Sequence, residues 1–327
     1  MNTVKSLPVI SALLSLLLVA APANADRIIS GDFDQGKSWM EKRNLDLTDS
    51  PQEALTDGYI LVVGQGLPMA GGNPARQKLT AIRAAEIMAY RRLAEITNGV
   101  YVSGQTTVRE CALESEVVKT AVSGLIKGAR KVHEEWNPAE GIAVVFMQIG
   151  IRGPDGVAEA MYNNYLNAAP GRALLQTVAY SLPAPVLNPV LSPALSQMPT
   201  SIPAAKTQAP AAPVESFDGL IVDARELGFQ PALINRIFSG KGEALYDPSK
   251  VSQKILVEQG AGEYTNTIEK ARAALESRGA KTPMVVKATG LKTLADLNVS
   301  DEDVMRIYLA DQKSNFLASA KVAFVLK

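Results

Sequence analysis

The sequence has a single cysteine, Cys111, and a single histidine, His133, in 327 residues. One cysteine cannot close a disulfide within the chain, so a hydrophobic core has to hold the fold together. Common structural zinc sites need four Cys or His ligands, and this pair cannot supply them. The composition therefore excludes a disulfide-stapled scaffold and a zinc finger of the usual kind.

The chain also lacks an excess of charge of either sign, because 33 Lys and Arg residues balance 33 Asp and Glu residues. Proteins that bind nucleic acid or an anionic membrane through their overall charge are normally strongly basic. The balance predicts no nucleic-acid partner and no attraction of the whole chain to an anionic membrane.

Long apolar runs are missing except at the N-terminus, where residues 1–25 have the pattern of a signal peptide. Lys5 precedes an apolar stretch from Leu7 to Ala20, and Ala23-Asn24-Ala25 supplies the small residues that a signal peptidase reads. That stretch is shorter than the roughly 20 residues that span a bilayer. No cysteine follows that could carry a lipid. We therefore expect cleavage before Asp26, export to the periplasm, no transmembrane segment and no lipid anchor.

Proline is concentrated in one segment, with eight prolines between Ser181 and Glu215. Proline removes backbone donors and favours extended conformations, so this composition predicts a semi-rigid linker. The alternative is that parts of it, such as Val186-Leu187, pack along a domain surface. The predicted organisation is a signal peptide (1–25), a first domain (26–168), a linker (169–215, Pro-rich from 181) and a second domain (216–327).

The periodicity of both domains predicts α+β folds, each with a small, mostly antiparallel sheet packed with helices. In the first domain the order is β-α-β-α-β-β-α, with the helices on one face of the sheet. Its long helix, to about Asn98, has an apolar stripe, and a second helix over 112–127 is expected to turn Leu113 and Val117 inward. The members of the stripe are Leu79, Ile82, Ala85, Ala89, Leu93 and Ile96.

In the second domain the sequence predicts a hairpin around Gly240-Lys241-Gly242. It also predicts a helix that begins at Asn266, because Glu269 follows three residues later as in a capping box. Ser300, followed by three acidic residues, predicts another helix start. The final strand, 320–326, alternates poorly and is expected to be central and buried on both sides.

Few residues of the sequence suggest a catalytic or ligand-binding site. Gly64-Gln65-Gly66 follows a strand, but Met69 stands where a dinucleotide-binding loop needs a third glycine, so a strand-ending turn is the favoured interpretation. The sequence has no Gly-x-Ser-x-Gly motif that would supply a nucleophilic serine for His133 to activate. Cys111 lies near Glu110 and Glu114, whose negative charges would raise the pKa of its thiol. We interpret both as structural.

Asp218, Asp223 and Glu226 cluster around Arg225 at the start of the second domain. Paired carboxylates can bind calcium or act as acid and base. A structural ion pair between Asp223 and Arg225, or a turn cap, is the favoured alternative. We therefore assign no catalytic, cofactor-binding or metal-binding residue, and predict a protein that is not an enzyme and carries no cofactor.

The stretch Ala81-x-x-Ala84-Ala85-x-x-x-Ala89-Tyr90-Arg91-Arg92-Leu93-Ala94, with Gly99 and the strand Val102–Val108, resembles a known envelope family. It is similar to the twenty-kilodalton (LPP-type) outer-membrane lipoprotein domain, shared by flagellum-associated proteins such as FlgP and the N-terminal domain of FlgT. The resemblance covers 59–151 and implies a non-catalytic envelope or flagellar basal-body accessory component that assembles with other copies. Several family members carry a lipid on an N-terminal cysteine, which this chain lacks.

The expected function is therefore a non-catalytic periplasmic structural or interaction protein of the cell envelope, whose partners are envelope or flagellar proteins or further copies of itself. The alternative is a soluble periplasmic module that binds a peptide or small ligand in a groove of the second domain. Assembly predicts concentration-dependent oligomers, whereas a binding module predicts a monomer with one concave pocket.

Overall fold

The computed structural model describes residues 33–167 and 216–327. The predicted signal peptide and the Pro-rich segment both lie outside these ranges, so both remain predictions from sequence. Among the described residues, no helix is both long and apolar enough to cross a membrane.

The first unit, residues 33–167, is built on a three-stranded antiparallel sheet with the strand order β1-β5-β4. The helix α3 packs along β1 and β5, as the apolar stripe predicts. Its elements are α1 (Asp34–Glu41), α2 (Pro51–Asp57), β1 (Tyr59–Gly66), α3 (Pro74–Gly99), β2 (Tyr101–Ser103), β3 (Thr106–Thr107), α4 (Val108–Glu114), α5 (Glu116–Lys127), β4 (Arg130–Asn137), β5 (Ile142–Gly150) and α6 (Val157–Met161), which continues as a π-helical turn, Tyr162–Leu166.

The sheet of the first unit is covered on both faces, whereas the sequence analysis placed helices on one. The segment that starts at Phe33 and includes α1 lies on the face opposite α3. There Phe33 packs with Leu61, Val144 and Phe146 in a cluster of its own, and Trp39 joins them. The N-terminal segment therefore completes the first unit by shielding a second apolar face from water.

The expected strand over 101–110 is instead a short hairpin, β2–β3, followed at once by α4. Thr107 and Glu110 form a capping box, which starts the helix at Val108. Ser115 then ends α4 and caps α5 by accepting a hydrogen bond from the backbone N–H of Val118. The single helix expected over 112–127 is therefore two helices.

The second unit, residues 216–327, contains two four-stranded sheets, and its helices pack against them. The expected mixture of helix and sheet is confirmed in both units. The elements of the second unit are β6 (Gly219–Asp223), β7 (Arg236–Ser239), β8 (Ala244–Tyr246), a 3-10 turn (Pro248–Lys250), α7 (Gln253–Glu258), β9 (Glu263–Thr265), α8 (Ile268–Ser277), β10 (Pro283–Lys287), β11 (Gly290–Thr293), β12 (Asp296–Val299), α9 (Asp301–Ser314) and β13 (Val322–Val325).

Strand direction in the second unit differs from the antiparallel expectation. The sheet β10-β6-β13-β9 is parallel throughout, and the sheet β11-β12-β7-β8 is mixed. When a helix connects two strands of one sheet, the chain returns to the end of the sheet at which the first strand began, and the two strands run parallel. The helix α8 makes such a crossover between β9 and β10. The prediction that the last strand is central and buried is confirmed, since β13 lies between β6 and β9.

Helix starts in the second unit follow side-chain caps. Ser300 caps α9, as expected, by accepting a hydrogen bond from the backbone N–H of Asp303. The cap of α8 is Thr267, one residue after the expected Asn266, and it accepts from the backbone N–H of Lys270. The hairpin β7–β8 around Gly240-Lys241-Gly242 is present.

The two units share one continuous hydrophobic core. One cluster of buried side chains includes Ile151 and Tyr162 from the first unit and Leu256 and Tyr264 from the second. The backbone also crosses the junction: the N–H groups of residues 233 and 234 donate to the carbonyls of residues 101 and 102 at 3.0 and 2.9 Å. The described parts of the chain therefore pack as one body.

Because the junction is buried, we expect the two units to stay together when the chain between them is cut. An engineered protease site inside residues 181–215 should yield two fragments that co-elute in gel filtration and separate only in denaturant. Cleavage followed by gel filtration with and without urea is the measurement. Fragments that part in native buffer would contradict the shared core.

Candidate interaction surfaces

The contact between β1 and α3 explains the two glycines of Gly64-Gln65-Gly66. Both lie inside β1, paired with β5, rather than in a strand-ending turn. A Cβ on Gly64 would lie 2.0 Å from the carbonyl oxygen of Ala85, and one on Gly66 would lie 2.0 Å from that of Ala81. The glycines therefore let the helix backbone rest directly on the strand, which is a packing role and not phosphate binding.

The solvent face of α3 carries apolar and basic side chains in alternation. Leu79, Arg83, Ile87 and Arg91 follow one another at four-residue spacing, and all four are exposed. We call these four residues the outer stripe of α3. The apolar periodicity predicts that Leu79 faces inward with the rest of the apolar stripe, but its side chain is 67% exposed.

The loop from Leu67 to Asn73 connects β1 to the first turn of α3 and adds two large apolar side chains. Leu67 and Met69 are 68% and 64% exposed. The backbone N–H of Met69 donates to the hydroxyl of Thr80 at 3.1 Å, which ties the loop to α3 beside Leu79. An added Cβ on Gly71 would have no heavy atom within 4 Å, so the tip of the loop stands clear of the described residues.

Two further helical surfaces expose apolar side chains. The sequence predicts that Leu113 on α4 and Val117 on α5 point inward, but their side chains are 79% and 61% exposed. The reason is that a new helix begins after Ser115, and this helix directs Val118 and Val122 to the core instead. On α9, Met305 and Leu309 lie one turn apart and are also more than half exposed.

A groove of about 730 Å³ runs between α5, the end of β5 and the start of α6. Its lining combines small residues of α5 with polar side chains, among them Arg130, Gln148, Glu159 and Asn164. The second unit has a groove of about 400 Å³ between β8 and the end of α9, lined in part by Asp247, Tyr308 and Asp311.

His133 lies under the N-terminal segment. Its ring stacks on Trp39 with 5.8 Å between centroids and meets the edge of Phe146 at 5.6 Å. Its Nε2 is 3.9 Å from a carboxylate oxygen of Glu135, which also accepts the backbone N–H of Gly36. These contacts agree with the structural interpretation of His133.

Cys111 is fully buried in α4. Burial, together with the neighbouring Glu114 and Glu110, raises the pKa of its thiol to about 11. The thiolate is the nucleophilic form, so the folded protein holds this cysteine in its unreactive form at neutral pH.

We therefore expect Cys111 to resist thiol reagents in the folded protein. At pH 8, 5,5′-dithiobis(2-nitrobenzoic acid) should label it at least about a hundredfold more slowly than in urea, because the pKa and the access change together. The release of the coloured thiolate measures the rate. Rapid labelling of folded protein would contradict the burial.

The acidic residues at the start of the second unit make structural contacts. Asp223 receives two hydrogen bonds from the guanidinium of Arg225, at 2.9 and 2.6 Å, and that guanidinium lowers the pKa of the carboxyl. Asp218 accepts the backbone N–H groups of Lys281 and Thr282, and Glu226 pairs with Lys287 at the surface. The ion-pair interpretation of Asp223 is confirmed. Among the described residues, no group of three His, Cys, Asp or Glu is placed to hold a metal.

The ionic contact across the junction has no signal in the sequence. Both carboxylate oxygens of Glu263, on β9, accept hydrogen bonds from the guanidinium of Arg152 in the first unit at 3.1 Å. One of these oxygens also accepts a hydrogen bond from Arg278 at 2.7 Å. The guanidinium of Arg278 is almost fully buried and also donates to the carbonyls of Ala320 and Gln259. Of these two arginines, Arg152 belongs to the first unit and Arg278 to the second, so the ionic link across the junction is the Arg152–Glu263 pair.

A second polar contact crosses the same junction. Arg236 on β7 donates to the hydroxyl of Ser103 at 3.1 Å and lies 3.6 Å from the carboxylate of Asp247. Both charged side chains are about 95% buried. Paired charges buried at a junction favour one arrangement of the two units over others.

One family model matches part of the chain. The family is described as Treponema pallidum Tp0624, second domain, and the match covers residues 219–327. The match begins with the first residue of β6 and coincides with the second unit, so this third of the chain is similar to that domain. No curated protein matches the chain significantly. The match does not include residues 59–151, which carry the resemblance to the envelope lipoprotein domain.

Proposed function

We propose that the protein is a non-catalytic structural or interaction protein of the bacterial cell envelope, exported to the periplasm. The observation that carries the proposal is the pair of exposed apolar side chains on α9, Met305 and Leu309, which share one helix face. Grouped apolar side chains in solvent are typical of surfaces that another protein covers. Leu113 and Val117 offer a second such surface on the first unit.

The junction between the units supports the same proposal. The shared core and the ionic contact at Glu263 fix the surface of α9 relative to that of α4 and α5. A rigid body with two separated apolar surfaces can contact two neighbours at once, which an assembly component requires. The flagellar basal body is the specific assembly that the sequence resemblance implies, and it is part of the proposal.

Self-association tests this proposal. Sedimentation velocity of the protein without its first 25 residues should show oligomers whose fraction rises with concentration. Met305→Ser with Leu309→Ser should reduce that fraction, while Lys254→Ser with Arg272→Ser, two exposed positions on α7 and α8, should leave it unchanged. If the protein stays monomeric, crosslinking in cells at residue 305 should trap an envelope protein. Failure of both experiments would refute the proposal.

Export is tested separately. N-terminal sequencing of protein from the periplasmic fraction should begin at Asp26. A start at Met1, or recovery in the cytoplasmic fraction alone, would remove the envelope from the proposal.

The groove between α5 and α6 favours a second candidate, a periplasmic module that binds a peptide or small ligand. Arg130, Glu159 and Asn164 would supply charge and hydrogen bonds at its walls. A thermal-shift screen of short peptides should then find a ligand whose stabilisation is lost in Gln148→Leu. A screen without any stabilising peptide would favour the assembly role.

A further inference from the structure

We propose that the outer stripe of α3 and the Leu67–Asn73 loop form a peripheral binding surface for an anionic phospholipid bilayer. The stripe supplies two arginines and two apolar side chains on one face, and the loop supplies Leu67 and Met69 next to it. A helix with basic and apolar residues on its exposed side, beside a projecting apolar loop, is suited to lie in the headgroup region of a membrane. The surface does not depend on the assembly proposal, which uses α9 and α4–α5.

The charged residues near this surface are mainly basic, although the chain as a whole has equal numbers of basic and acidic residues. No Asp or Glu occurs between Asp57 and Glu86, and the charged residues in that interval are Arg76, Lys78 and Arg83. Glu86 is engaged by Arg83 at 2.9 Å and by Lys131 at 3.2 Å. The balanced total charge therefore includes a local excess of basic residues, which the total alone does not reveal.

The other acidic groups near the surface are few. Glu95 lies further along α3 and pairs with Arg92 at 3.4 Å. Glu140 lies in the exposed turn between β4 and β5, whose Gly141 approaches Pro68 of the loop. Glu95 is exposed and follows Arg91 at the same four-residue spacing, so the basic part of this face of α3 ends at Arg91.

The loop itself is suited to insertion. No charged residue occurs from Gly58 to Ala75, so Leu67 and Met69 can enter the acyl boundary without carrying a charge with them. Gly71 and Gly72 take positive φ angles of 80° and 91°, which bend the chain back toward the start of α3. The two apolar side chains thus lie on a tight, uncharged turn.

A membrane fits this surface better than a second copy of the chain. An isologous dimer through the outer stripe would bury Arg83 and Arg91 with no acidic residue of the stripe to pair with them, which is costly. An anionic bilayer instead complements every exposed charge of the stripe. It also accepts the projecting loop without needing a matching cavity.

The test is co-sedimentation of the protein, without its first 25 residues, with two kinds of vesicles. One kind is phosphatidylcholine alone, and the other is phosphatidylcholine and phosphatidylglycerol in equal parts. We expect at least about tenfold tighter binding to the anionic vesicles, and weaker binding at high salt.

Variants locate the surface. Leu67→Ser with Met69→Ser, and separately Arg83→Glu with Arg91→Glu, should each weaken binding to anionic vesicles by about tenfold or more. All four side chains are exposed, so the fold should persist, which a melting curve checks. The matched control for the charge reversal is Lys254→Glu with Arg272→Glu, at two exposed basic positions on α7 and α8.

The outcomes separate clearly. Loss of binding in the surface variants but not in the control supports the proposal. An absence of binding by the unaltered protein, equal binding to both vesicle types, or equal loss in the control overturns it. A surface that instead binds an acidic protein would show no binding to vesicles and belongs to the overturning outcomes. Self-association through α9 can succeed or fail independently of this result.

Discussion

Replacing Gly64 with alanine should strongly destabilise the first unit. The added Cβ would lie 2.0 Å from the carbonyl oxygen of Ala85 and 2.5 Å from the backbone nitrogen of Ala89. Both neighbours belong to the helix backbone, so no side-chain rotation relieves the contact and α3 has to move off the sheet. Overpacking of a core costs about 1–3 kcal/mol when side chains can adjust, so we expect a loss of about 3 kcal/mol or more.

Urea denaturation followed by far-UV circular dichroism measures this loss. Gly66→Ala should behave in the same way, because its Cβ would lie 2.0 Å from the carbonyl oxygen of Ala81. Gly124→Ala is the matched control. An added Cβ there has no neighbour within 4 Å, and alanine favours a helix interior over glycine by about 1 kcal/mol, so this variant should be as stable as the parent or more so. Equal stability of all three variants would refute direct contact between strand and helix.

The sequence predicted those elements whose signals are local. A β-branched run identified β1, and the spacing of Ile82, Ala85, Ala89 and Leu93 identified the buried face of α3. The hairpin β4–β5 and the cap at Ser300 also depend on neighbouring residues alone. The inward prediction for Leu79 is wrong because Gly66, the last residue of β1, meets α3 at Ala81, and the part of the helix that carries Leu79 extends past the strand.

Features that depend on distant residues could not be predicted. The parallel order of β10, β6, β13 and β9 is set by crossovers that the pattern of single strands does not reveal. The candidate surfaces were missed for a related reason, since the exposure of Leu113 and Val117 depends on the helix break at Ser115. The contact between Arg152 and Glu263 joins residues 111 positions apart, and neither residue stands in a recognisable motif.

Breaking the buried pair of Glu263 with Arg278 should have the second large effect on stability. In Arg278→Met the side chain keeps its length and its apolar packing, but Glu263 loses one of its two arginines and the carbonyl of Ala320 loses its donor. Because the side chain of Arg278 is only 4% exposed, water cannot replace these hydrogen bonds without opening the second unit locally. Removing one partner of a buried ion pair costs about 3–5 kcal/mol, and we expect a loss in that range.

Arg225→Met is the matched control for this substitution. Its guanidinium makes an ion pair with Asp223 of similar geometry, but the side chain is 46% exposed, and solvent-exposed ion pairs contribute little to stability. Urea denaturation of both variants gives the comparison. Arg152→Met adds a readout specific to the junction, because Arg152 is the partner of Glu263 from the first unit: after a cut inside residues 181–215, its fragments should separate in less urea than those of the cleaved parent. If Arg278→Met and Arg225→Met lost the same small amount of stability, burial would not strengthen the ion pair at Glu263.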